Sequence, residues 1–280
     1  MAHSIRRGRP TGDHASALSR RGLRRCFRIF LICLASIAPV LPAAAWTPET
    51  QRRLGEQAAR LAPPDLYRQL VRNRDAFRVG LAEPRRQGRG ADHASDEGTR
   101  RATIESAVDD AILSIRAHRP FNEVAYRLGL VAHHLTVAND PSHARRDDPA
   151  HARWARDYPL YAESALPRVA MVFYGFRAGD RRLVLDRLLA DTSQRSAELY
   201  PLLGREYRRV GYAPGRRSFD DRSTAYAVTA LGMSHAVSDI AEVLRYIWLE
   251  AGGIDTRSHL PRRGHQWVRL EPLRAPAANR

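Results

Sequence analysis

The residues whose types and spacing could do chemistry fall in two short stretches, both built from histidine and carboxylate. Nine histidines lie beyond position 45. In the stretch Leu128 to His143 a helical pattern carries His133, a proline stands at Pro141, and His143 follows ten residues after His133. Further on, His235 and Asp239 are four apart, which places them one turn apart on one helix face. An imidazole and a carboxylate so placed can point at a single metal ion. Their neighbours Ala230, Leu231, Val237, Ile240 and Val243 are small or apolar, so the helix that carries them is expected to be buried. A buried His–Asp pair is costly unless it is satisfied. A hydrogen-bonded structural pair meets that demand as well as a metal does. His133 reads equally as a core histidine with an ordinary hydrogen-bond partner. Spacing alone leaves these alternatives open.

The cysteines narrow the ligand chemistry. Cys26 and Cys33 are the two in the chain, and both lie in a segment expected to be removed. Residues 1–25 are rich in arginine. An apolar run from Phe27 to Leu41, interrupted by Arg28, follows, and then Pro42-Ala43-Ala44-Ala45 before Trp46. A basic start, a short apolar run and an A-x-A end is the layout of a secretory signal peptide. The apolar run is shorter than the roughly 20 residues that span a bilayer. Arg24-Arg25-Cys26-Phe27 looks like a twin-arginine signal, which implies export in the folded state. The expected mature chain begins at Trp46, lies in the periplasm or outside the cell, and has no membrane span. It has no thiolate ligand and no disulfide, so a metal site in it would use histidine, carboxylate and main-chain atoms.

Every basic residue apart from histidine is arginine, since the chain has no lysine. Residues 1–45 carry eight arginines against one acid, so the chain beyond them keeps +9 of the formal +16 charge. An arginine-rich surface favours phosphate, because the guanidinium fork matches phosphate oxygens. Phospholipid headgroups and nucleic acid both fit, and so does an ordinary solvated surface.

The elements that must position these residues read as helices nearly throughout. Apolar positions at helical spacing mark 50–62, a second helix after Pro63-Pro64, a third through Ile104, Val108, Ile112 and Ile115, and a fourth over 121–138. Helical patterns resume over 155–176, 180–191 and 193–209. A last long helix runs from about Asp221, as N-cap, to Glu250, with Gly252-Gly253 as its stop. Residues 84–99, 139–153 and 211–219 read as loops, and no strand pair is expected. The sequence therefore predicts one all-α domain over 46–253, followed by an Arg/Pro-rich irregular tail over 254–280.

Taken in order, these residues resemble the zinc-dependent phospholipase C and single-strand-specific zinc nuclease superfamily. Its members are exported all-helical enzymes with three zinc ions in a cleft. The likeness spans about 46–250. It rests on Trp46 after the cleavage site, on residues 128–143 with His133, Pro141 and His143 in place, and on the later pair His235 and Asp239. The resemblance implies that His143, His235 and Asp239 bind one zinc, that His133 is a ligand of a second, and that the amino and carbonyl groups of Trp46 chelate a third. Asp92 and His93 lie where the family has an early acid and histidine. The chain departs from the pattern at Val137, where the family has a bridging aspartate four residues after the helix histidine. Thr136 and Asp140 are close by in sequence but not on that face at that turn. No histidine follows Trp46 within 47–60, and Pro84-Arg85 stands where relatives often read Pro-Asp.

The function implied is that of a phospholipase C-like hydrolase of phosphoric esters, holding one zinc and up to the family's three, with metal-bound water as nucleophile. A phospholipid is favoured over single-stranded nucleic acid as substrate, with peripheral contact to a membrane. The alternative keeps the fold, loses catalysis, and binds a phosphate-bearing ligand or a partner in the envelope. A third option is a helical periplasmic protein whose histidines are all structural. His118, His134, His151, His259 and His265 match no motif.

Overall fold

The computed structural model describes residues 46–86, 97–145, 148–177, 181–255 and 266–268. The expected signal segment 1–45, the pair Asp92 and His93, and most of the tail lie outside them. Nine α-helices among the described residues confirm the all-α class. Helix α1 (Pro48–Leu61) begins where Thr47 accepts a hydrogen bond from the Thr50 amide and Pro48 occupies the first turn. The next pair is α2 (Pro64–Arg72) and α3 (Arg74–Arg86), followed by α4 (Glu97–Arg116) and α5 (Phe121–Ala138). Beyond them lie α6 (Asp157–Ala165), α7 (Arg181–Arg209), the single turn α8 (Gly215–Ser218) and α9 (Thr224–Glu250). Among the described residues no helix is long and apolar enough to cross a membrane.

Helices α3 and α5 cross with their backbones in contact, because a glycine stands on each at the crossing. A Cβ on Gly80 would lie 2.0 Å from the Tyr126 carbonyl oxygen, and one on Gly129 would lie 2.2 Å from that of Phe77. No side chain larger than hydrogen fits at either position. Helix α9 runs through the core and buries Met233, Val237, Ile240, Leu244 and Ile247. Its N-cap is Ser223, whose hydroxyl accepts from the Tyr226 amide, two residues beyond the expected Asp221.

Two expectations from periodicity are corrected. Arg181–Arg209 form one helix where two were expected, running through Pro201. Residues 155–176 are helical only as far as Ala165, and the chain then extends into β1 (Met171–Phe173), which pairs antiparallel with β2 (Gln266–Val268). The expected tail therefore contributes a strand. The cause is non-local. Along α9, residues spaced by four accept the amides of the extended segment. Val172 donates to Ser234 Oγ at 3.1 Å, Tyr174 to Ser238 Oγ at 3.1 Å, and Arg177 to Glu242 Oε2 at 2.7 Å. Extended backbone amides that would otherwise be buried unpaired are thus satisfied by a helix face.

Candidate functional site

The C-terminal end of α5 organises the site. Asn139 closes the helix, and its side-chain amide donates both to the Leu135 carbonyl at 3.0 Å and to Asp239 Oδ2 at 3.1 Å. From α7, the Thr192 hydroxyl donates to the same carboxylate oxygen at 2.8 Å, and Arg195 Nη2 donates to it at 2.5 Å. Thr192 and Arg195 are three apart, so one face of α7 presents both. Asp239 is buried. Burial pushes its carboxyl up from the ordinary value, against the pull of Arg195, Thr192 and Asn139.

His235 sits one turn before Asp239 on α9, half-buried, with its ring stacked on Tyr174 at 4.7 Å between centroids and 24° between planes. Tyr174 is held there by the hydrogen bond that its main-chain N–H donates to Ser238 Oγ. Burial first, then the guanidinium groups of Arg195 and Arg177, push the His235 imidazole down to about 4. At neutral pH it is an uncharged ring.

Asp140, next to Asn139, faces another element. Its Oδ2 accepts from the main-chain nitrogen of Trp46 at 2.8 Å, while its Oδ1 accepts from the Ser142 amide at 2.9 Å and hydroxyl at 2.8 Å. The latter two bonds cap a 3₁₀ turn, Pro141–His143. Trp46 is wholly buried and lies over Gly232 of α9, where a Cβ would come within 3.3 Å of the indole. Thr192 also lines a surface pocket shared with Glu97, Arg100, Arg101, Ile104 and Ser196, so the Asp239 cluster borders an opening between α4 and α7.

The residues singled out from sequence therefore divide. His235 and Asp239 share a face of α9 as expected. His143 is buried on the 3₁₀ turn, and its carbonyl accepts from Arg100 at 3.1 Å. His133 is buried, and its Nδ1–H donates to the Leu81 carbonyl at 2.9 Å, tying α5 to α3 beside the glycine crossing. Trp46 meets Asp140, a carboxylate that sequence reasoning had set aside. Thr192, Arg195, Asn139 and Tyr174 were not foreseen.

Of the three residues that the resemblance assigns to one zinc, His235 and Asp239 lie on α9 and His143 on the 3₁₀ turn after α5. One oxygen of the Asp239 carboxylate already accepts from three donors, one of them a cation. Among the described residues, no group of three His, Cys, Asp or Glu side chains is arranged to hold one metal ion. No protein-family model, characterised protein or solved structure matches the chain.

Proposed function

We propose that this chain is an exported, all-helical protein that binds a phosphate-bearing ligand beside Arg195, with a guanidinium standing where the phospholipase C and nuclease pattern calls for a metal ion. The observation that carries this reading is the 2.5 Å contact of Arg195 with Asp239, on the helix face that the resemblance assigns to zinc. The Arg195 side chain keeps 21% of its surface exposed, and Arg100 and Arg101 line the adjoining pocket. A guanidinium offers phosphate several donors in a fixed fork. The basic, arginine-only composition and the layout of residues 1–45 support an anionic ligand met outside the cytoplasm.

Metal analysis and calorimetry on the purified chain test it. Zinc at background level, with chelator-insensitive binding of phosphocholine or a mononucleotide that Arg195→Met weakens at least about tenfold, is the expected result. A second reading is favoured by the uncharged His235, which is ready to bind a metal without losing a proton. In that reading the chain is a zinc-dependent phosphoric ester hydrolase of phospholipase C type, with phospholipid favoured over nucleic acid, and Arg195 gives way to the ion. One zinc per chain, lost in His235→Ala, together with a chelator-sensitive phosphodiesterase activity, would establish that reading and overturn the first.

A further inference from the structure

The contact between Trp46 and Asp140 has a chemical consequence once the chain is processed. The Trp46 nitrogen lies 2.8 Å from Asp140 Oδ2, and both residues are wholly buried. In the unprocessed chain that nitrogen is a neutral amide with one hydrogen. We propose that cleavage between Ala45 and Trp46 converts this hydrogen bond into a buried ion pair, and that the mature fold is completed by its own new N-terminus. The step is a hydrolysis by a peptidase of the export machinery. Water adds across the Ala45–Trp46 peptide bond, Ala45 leaves with a carboxylate, and the Trp46 nitrogen takes up protons to become an ammonium. The charge arises on an atom already in place.

The surroundings suit such a pair. Asp140 is held by Ser142 through its other oxygen, so its orientation does not depend on Trp46. The indole lies over Gly232, where little space is left for a side chain, just before α1 begins at Pro48. A buried carboxylate is costly to keep charged, and a cation within hydrogen-bond distance offsets that cost more fully than a neutral amide does. The proposal rests on the export reading but not on ligand binding, so a chain that binds no phosphate ester leaves it intact.

The absence of lysine makes the test selective, because the α-amine is the one primary amine of the mature chain. The full chain is expressed in an exporting host, the processed product is recovered, and its first residue is read by intact mass. A start at any residue other than Trp46 overturns the proposal. The amine is then acetylated in the unfolded chain, which is refolded beside an unmodified control. The free-amine form is expected to melt higher by about 5 °C or more, and Asp140→Asn is expected to abolish that difference. Equal melting of free and acetylated wild-type chains overturns the proposal. Should Asp140→Asn fail to fold, the acetylation rate of the native wild-type amine decides. A rate about tenfold or more below that of the unfolded chain is expected, and an unprotected amine overturns the proposal.

Discussion

Two buried carboxylates meet at one dipeptide, Asn139-Asp140. Asn139 donates to Asp239, and its neighbour Asp140 accepts from Trp46. The two are balanced differently. Asp239 is held by side chains from two other elements, Asn139 at the end of α5 and Thr192 and Arg195 on α7, so its countercharge is written in the sequence as an arginine. Asp140 accepts from the main-chain nitrogens of Trp46 and Ser142 and from the Ser142 hydroxyl, and a charge on the Trp46 nitrogen depends on where the chain is cut. A buried carboxylate can thus meet a cation supplied by residue choice or one supplied by covalent processing, and only the first is visible as a residue type.

The largest effect is expected where that comparison is cut on the side-chain half. Asp239→Ala leaves the Arg195 guanidinium partly buried without its carboxylate and should cost about 3 kcal/mol, because removal of one partner of a buried pair is penalised more than the loss of both. Urea denaturation of Asp239→Ala, alone and combined with Arg195→Met, measures it. The double variant should recover a large part of the loss. A single-variant loss below about 1 kcal/mol, the size of an ordinary hydrogen bond, would break the comparison.

A smaller effect follows from the uncharged His235. Its folded-state value near 4 lies below the ordinary 6.5, so between these limits the unfolded chain binds a proton that the folded chain refuses. Its contribution is fully present above about 6.5 and is lost as pH falls toward about 4. Asp239 and Glu242 are pushed up by burial and act in the opposite direction, since a carboxyl raised in the fold favours the folded state as pH falls. Comparing His235→Phe with the parent cancels their share and keeps an aromatic ring beside Tyr174. The variant should lose less stability than the parent between pH 6.5 and pH 4. Parallel curves would mean that His235 takes up its proton while folded.

These tests probe features that differ in how far the sequence reveals them. The helix that carries His235 and Asp239 was legible because its apolar stripe and the four-residue spacing are local. The partners of Asp239 were not, since Thr192 and Arg195 lie 47 and 44 residues earlier and meet it only when α7 packs on α9. His133 was legible as a buried histidine, but its acceptor is a main-chain carbonyl 52 residues away, which no residue type announces. Asp140 was passed over because it lies beyond the end of α5, where helical periodicity stops carrying information about facing. The extended segment through β1 was read as helix because the amides of Val172, Tyr174 and Arg177 are satisfied by Ser234, Ser238 and Glu242, three residues that look like ordinary polar positions of α9. Gly80 and Gly129 each look like weak points in a helix, and only together do they mark a crossing.

The smallest effect sharpens the main-chain half of the comparison. Thr47 follows Trp46 and caps α1 by accepting from the Thr50 amide at 3.2 Å. Thr47→Ala should cost about 1 kcal/mol, and Thr47→Ser almost nothing, because serine caps as well as threonine. The informative quantity is the coupling. If the cap also sets where the Trp46 nitrogen sits, Thr47→Ala and Asp140→Asn should deviate from additivity by about 0.5 kcal/mol or more, whereas Thr47→Ala and Asp239→Asn should add. Full additivity at Asp140 would show that the cap does not set where the Trp46 nitrogen sits. Coupling to Asp239 would show that the two carboxylates behave as one unit across Asn139.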